Sequence, residues 1–255
     1  MPAICCTNIS KRYQRAAYGI KETLVGKHKD KMMDRFARQF ALKDVGFVVE
    51  KGAAFGVVGQ NGAGKSTLLS LLLGVIQPDS GDIRIQGRVA SLLDLGCGFH
   101  PELTGRENIR LYGAILGMSF DYIKMRMNQI IRFSELGEAI DHPIQTYSSG
   151  MVARLGFATI INVEADILLI DEVLAVGDSA FQTKCKRYLR QFQENGGTLV
   201  IVSHDMDALS STCDSGICLD RGEVLYAGSI KDVIGAYQTQ METCQLRSPV
   251  RDTAY

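Results

Sequence analysis

A chain of 255 residues in which 28 Lys and Arg are matched by 28 Asp and Glu has no formal net charge. That argues against a general nucleic-acid coat, which is strongly basic. A hydrophobic fraction of 46% with 22% charged residues excludes a disordered chain, which combines low hydrophobicity with high net charge. No run reaches the roughly 20 apolar residues of a membrane span: the stretch from Thr67 stops at Gln77, Pro78 and Asp79, and the one from Ile167 stops at Asp171 and Glu172. The N-terminal residues MPAICCTNIS lack a basic region leading into an apolar one, so no signal peptide is expected. The 7 Cys contain no CxxC pair, the pattern of reduced thiols in a cytoplasmic protein.

In chain order, Ala3 to Ile9 reads as a short strand. Residues 14–41 follow as a polar insertion, with Arg15, Lys21, Lys27, Lys29, Lys31, Arg35 and Arg38 against Glu22, Asp30 and Asp34. Met32, Met33, Phe36 and Phe40 share one face of a helix predicted over 29–40. This insertion reads either as a solvated charged helix or as a surface that meets a membrane subunit or anionic headgroups. Strands are expected at Leu42 to Val49 and Ala54 to Val58, a helix at Lys65 to Leu73 and a turn at PDSG, 78–81. Strands at Asp82 to Gln86 and Arg88 to Leu93 lead into helices at Thr104 to Leu116, Ser119 to Phe133 and about 150–162. Strands Ile167 to Ile170 and Leu199 to Val202, a helix Asp205 to Thr212, a hairpin through Arg221 and Gly222, and a short helix Ile230 to Tyr237 complete the pattern. The last 18 residues are polar and weakly patterned. Alternating strands and helices predict an α/β fold with a mainly parallel sheet. The helical stretch over about 100–162 is expected to form a lobe of its own.

Gly59-Gln60-Asn61-Gly62-Ala63-Gly64-Lys65-Ser66 matches GxxxxGK[ST] between a predicted strand and helix. The glycines let successive N–H groups turn toward phosphate oxygens, and the helix start adds its positive dipole end. Lys65 reaches the β- and γ-phosphates and the Ser66 hydroxyl can ligate Mg²⁺. The apolar strand Ile167 to Ile170 ends in Asp171 and Glu172; Asp171 suits a magnesium shell and Glu172 suits polarising a water. Tyr147-Ser148-Ser149-Gly150-Met151 opens a helix with small residues, and Ser203-His204-Asp205 follows another strand. Taken alone, the first of these is no more than an N-cap.

In this order the motifs resemble an ATP-binding cassette (ABC) ATPase over roughly residues 3–237. The resemblance implies a P-loop NTPase core with a mainly parallel sheet, an antiparallel β portion and an inserted α-helical subdomain, followed by a short tail at 238–255. It implies ATP held by Gly59, Asn61, Gly62, Ala63, Gly64, Lys65, Ser66 and Thr67, with Tyr13 stacking on adenine, although Tyr18 lies close by. Magnesium would be held by Ser66 and Asp171, and catalysis carried by Glu172 and His204. Ser148, Ser149 and Gly150 would act on the opposite subunit's nucleotide, and Asp178 would lie in a dimer loop. Two departures narrow the group: YSSGM stands where most members have LSGGQ, and no Gln occurs in the loop 92–100, where Asp94 falls near the usual Gln position. With HPELTGRENI at 100–109 and IDEVLAVGD at 170–178, the chain is similar to the ATPase subunits of polysaccharide exporters, the O-antigen group above all and then capsule and teichoic acid exporters. Some of that group carry an added glycan-binding domain, for which this chain is too short unless it is truncated. The resemblance further implies a homodimer on the cytoplasmic face of the bacterial inner membrane. There it would drive a lipid-linked polysaccharide through a separate transmembrane permease, with no nucleic acid partner. A soluble non-transport ABC ATPase is the alternative, weakened by the absence of a second cassette or long coiled coil. A nucleotide sensor is weakened by the presence of Glu172 and His204.

Overall fold

The computed structural model describes residues 1–13, 39–93, 96, 98–171 and 177–247. Most of the basic insertion, Tyr18, Asp94, Glu172 and the chain beyond 247 lie outside the described residues. Two compact units emerge. One is built from Glu50–Gly56 and Gln86–Asp214, the other from Pro2–Val49, Val57–Ile85 and Ser215–Tyr255.

In the second unit, β1 (Pro2–Tyr13), β2 (Gln39–Glu50) and β4 (Ser80–Ile85) form a sheet of order β2-β1-β4. β1 and β4 run antiparallel, with Ile4 opposite Ile85 and Ser10 opposite Ser80. β2 begins at Gln39, so Phe40 belongs to a strand and not to the helix expected over 29–40. Its ring stacks under the Arg12 guanidinium, 4.1 Å away, and this cross-strand contact outweighs the local helical spacing. The turn expected at 78–81 is likewise cut short, because β4 starts at Ser80. The Asp79 carboxylate accepts the Arg12 N–H (2.7 Å) and pairs with the Lys11 amine (2.9 Å), pinning the segment to β1.

β3 (Ala54–Gly59) is buried throughout, as its unbroken apolar run requires. Its last residues lie in the second unit, in the order β3-β8-β9 with β8 (Ser215–Asp220) and β9 (Glu223–Ser229). The β8–β9 hairpin turns through Arg221 (φ 48°) and Gly222 (φ 85°), the paired positive φ of a tight hairpin turn. After β3 comes α1 (Lys65–Leu72). The final helix is longer than the sequence pattern suggests, running over Ile230–Arg247. Its polar second half contains no Gly or Pro to stop it.

In the first unit, β5 (Val89–Ser91), β6 (Ile167–Asp171) and β7 (Thr198–Val202) run parallel, in the order β5-β6-β7-β3. Helices α2 (Gly105–Ile115), α3 (Phe120–Ser134) and α4 (Ser149–Ile160) pack around Ile109, Ile123, Ile130, Ile140 and Leu155. Thr104 opens α2 with a capping box to Glu107, satisfying two N–H groups that a helix start leaves bare. The sequence reading passed over α5 (Ser179–Glu194) altogether. Its signal was present: Phe181, Cys185 and Leu189 recur every four residues and are the buried face. Another helix of this unit, α6 (Met206–Thr212), follows β7.

Candidate active site

The phosphate-loop segment lies wholly in the second unit. Gly62 (φ 82°) and Gly64 (φ 108°) adopt left-handed backbone, closed to most side chains. Space is as restrictive as conformation: a Cβ on Gly64 would sit 2.5 Å from the Ala41 carbonyl oxygen and 2.7 Å from Leu42 Cδ2. A Cβ on Gly59 would sit 2.5 Å from the Leu219 carbonyl oxygen. The loop is thus wedged between the start of β2 and the end of β8, and the Gly222 N–H braces it further by donating to the Ala63 carbonyl at 3.0 Å.

Lys65 is 9% exposed, and its amine donates to the Gly59 (2.7 Å) and Gln60 (3.0 Å) carbonyls. It is therefore folded back across the loop. No side chain caps the start of α1 and no acidic residue stands in its first turn, so the positive end of the helix is not neutralised locally. Ser66 and Asn61 are exposed, Thr67 is half-buried and Ala63 is buried. Tyr13 closes β1 and is 47% exposed.

In the first unit, Asp171 is half-buried and ends β6, paired in register with Val202 at the end of β7. Ser203 and His204 follow directly. The carboxylate, the hydroxyl and the imidazole therefore stand at the carboxyl end of parallel strands, where α/β sheets bind ligands. His204 is exposed. It lines a cavity of 310 Å³ with Ile170, Ser203, Asp205, Gln182 and Lys186. Ser203 Oγ accepts the Asp205 N–H (3.0 Å) and Asp205 caps α6, which fixes the turn carrying His204.

Ser148 caps α4, its Oγ accepting the Met151 N–H at 3.2 Å. Ser149 is exposed, and a Cβ on Gly150 would meet only Ser148 Oγ, at 3.8 Å. Among the described residues, nothing near Gly150 demands glycine. Tyr147 anchors the segment from behind, its hydroxyl donating to the Ala139 carbonyl at 2.5 Å; burial pushes its pKa up. Asp178 caps α5 through Oδ1, which accepts the Phe181 N–H at 2.9 Å, while Oδ2 pairs with Arg154 Nη2 at 2.9 Å. The Phe181 N–H, then the Arg154 guanidinium, hold its carboxyl below the usual carboxylate range.

Two residues that the sequence reading missed shape these segments. Arg154 is one; its signal was a lone cation beside the apolar run Leu155 to Ile161. Asn108 is the other. Fully buried, it accepts the His100 N–H and donates to the His100, Leu103 and Thr104 carbonyls, which explains the Asn of HPELTGRENI as a loop clamp. Burial pushes the Cys6, Cys185 and Cys213 thiols up to about 12. They stay protonated at neutral pH and are no nucleophiles. Among the described residues no three His, Cys, Asp or Glu converge on a metal position.

A glycine loop ahead of an uncapped helix start, with a lysine folded across it, is an arrangement suited to phosphate, and acid and imidazole groups at strand ends suit nucleoside triphosphate chemistry. The profile of the ABC transporter family matches residues 42–175, and the chain belongs to that family. It is 46% identical to the O-antigen export system ATP-binding protein RfbB of Klebsiella pneumoniae, over 94% of this chain and 99% of that protein. It is 39% identical to the teichoic acids export ATP-binding protein TagH of Bacillus cereus, over 91% of this chain but 41% of that protein. A dimeric ATP-binding cassette, MJ0796, in a post-hydrolysis state with ADP and Pi shares the fold at TM-score 0.70 and 22% identity, covering 89% of this chain and 98% of its own.

Proposed function

We propose that this chain is the ATP-hydrolysing subunit of an exporter that moves lipid-linked O-antigen polysaccharide across the bacterial inner membrane through a separate transmembrane subunit. The observation that supports it most is kinship with RfbB over nearly the whole of both chains, joined to the glycine loop crossed by the Lys65 amine. Export of teichoic acid is the second reading, favoured by the TagH likeness. It ranks lower because the identity is 39%, against 46% to RfbB. No described helix is long and apolar enough to cross a membrane.

The roles follow from chemistry. N–H groups of the loop from Gly59 to Gly64, with Asn61 and Ala63, receive phosphate oxygens; Lys65 neutralises the β- and γ-phosphates and Thr67 extends the helix start. Tyr13 offers a ring to adenine. The Ser66 hydroxyl of the second unit and the Asp171 carboxylate of the first are oxygen donors of the kind magnesium prefers, and would be the groups offered to it. A magnesium ion held by these groups would supply positive charge against the phosphates. Glu172 orients and deprotonates the attacking water, and His204 donates a hydrogen bond toward the γ-phosphate. Ser148, Ser149 and Gly150 of a second copy cap that phosphate, which requires a two-fold homodimer. ATP favours the closed dimer and hydrolysis releases it, and that difference in affinity is what can move an attached permease.

The test is export in cells. Cells whose only copy is Glu172→Gln should retain ATP binding, hold the chain on the transmembrane subunit and accumulate polymer on the cytoplasmic side. Normal surface polymer in such cells would sink the proposal; accumulated teichoic acid in place of O-antigen would select the second reading.

A further inference from the structure

Arg154 lies on α4, six residues beyond Ser148. Its guanidinium reaches two other elements. Nη2 is 2.9 Å from Asp178 Oδ2 at the start of α5, and Nη1 is 3.6 Å from Glu135 Oε2 at the end of α3. Its Cζ lies 4.9 Å from the centre of the Phe181 ring, and its Nε packs against Gly177, 3.0 Å from where a Cβ would stand. Glu135 holds the left-handed cap of α3 (φ 57°) and gives its other oxygen to Lys184 of α5 at 2.6 Å. Lys184 also donates to the Phe133 carbonyl at 2.9 Å. The charges therefore alternate along one chain, Asp178, Arg154, Glu135, Lys184, and all lie in the first unit.

A single exposed ion pair contributes little to stability, so this arrangement needs another explanation. Arg154 is only 19% exposed whereas its carboxylate partners are 63% and 47% exposed. The rigid guanidinium fork is thus the fixed part, and it sets direction more than energy. Asp178 has one oxygen committed to the first turn of α5 and the other to Arg154. Its orientation follows that of α4.

We infer that Arg154 is a positioning residue that locks the helix start carrying Ser148, Ser149 and Gly150 to the turn at Asp178, so that the two segments meet a second copy as one rigid surface. This rests on the proposed role of those segments in the dimer. Arg154 acts through those segments.

The test is steady-state ATP hydrolysis by the full chain with Arg154→Met, Arg154→Lys, Glu135→Gln, Asp178→Ala, Ser148→Arg and the double variant Arg154→Met/Asp178→Ala. Melting curves and binding of a fluorescent ATP analogue at dimer-free dilution accompany it. Arg154→Met should lower kcat by up to about 10²-fold, the scale of an ångström-size misplacement, with monomer affinity for the analogue unchanged. Arg154→Lys should restore part of kcat, and the double variant should be no slower than the slower single one. Glu135→Gln changes only an exposed side chain. It should lower kcat less than Arg154→Met does, at unchanged KM, and it decides the matter if Arg154→Met does not fold. Normal kcat in folded Arg154→Met or in Glu135→Gln overturns the inference, as do independent, multiplying effects in the double variant. Normal kcat in both Ser148→Arg and Asp178→Ala overturns the dimer reading itself.

Discussion

The phosphate loop and the Ser148–Asp178 region are built on opposite principles. The loop is backbone throughout. Glycines in left-handed conformation, carbonyls that hold the Lys65 amine and a helix start without a side-chain cap form one contiguous stretch of chain. The Ser148–Asp178 region depends on side chains drawn from three helices and joined through Arg154 and Glu135. The contrast teaches where tolerance lies. The first fails when a single atom is added, because its neighbours are carbonyls that cannot yield. The second should degrade by degrees, because flexible ion pairs can be replaced in part.

The largest effect that could break this comparison comes from Lys65→Ala, expected to cut kcat by about 10²–10³-fold, the scale for one preorganised donor to a transition-state oxyanion. Phosphate release measures it, and a tenfold loss or less would show that the backbone alone binds the phosphates. Next comes Gly64→Ala. A left-handed non-glycine costs on the order of 1–3 kcal/mol, and here the Cβ also meets Ala41 and Leu42. The melting temperature and nucleotide binding should fall together. Gly150→Ala makes the opposite case: among the described residues its Cβ meets only Ser148 Oγ, at an ordinary contact distance of 3.8 Å, so stability should change by no more than about 0.5 kcal/mol while ATP hydrolysis falls. Unchanged hydrolysis would remove the need for a second copy at Gly150.

The smallest effect is one of pH. The Phe181 N–H and Arg154 hold the Asp178 carboxyl below its ordinary value. Its contribution to stability is therefore complete above about pH 3.9, the value of a free Asp, and is lost as pH falls through the lower folded value. Melting of the unmodified chain and of Asp178→Asn should differ slightly at neutral pH and converge in strong acid. A gap that widens on acidification would contradict the assignment of that ion pair.

Which features could be read in advance follows from the same division. GQNGAGKS stands on consecutive residues, and the strand before it and helix after it carry their own patterns, so loop, flanking elements and family could all be read from the chain. The strand ending at Asp171 was legible for the same reason. Phe40 was misplaced because its helical spacing is local, while the Arg12 ring contact that holds it in β2 comes from a distant strand. The end of the last helix was misjudged because polar residues carry little periodic signal. Asp178 could be named from its place in the family pattern, yet its partner could not.

The amino-acid sequence by itself determined the α/β class, the phosphate loop and the order of the site segments, since each is encoded within a few neighbouring residues. Only the tertiary structure decided what braces the loop and what Asp178 grips. The Leu219 and Ala41 carbonyls that crowd Gly59 and Gly64, and the Arg154 fork on Asp178, reach their partners across 23 to 160 positions of chain. Such contacts depend on packing geometry, and no local pattern records it.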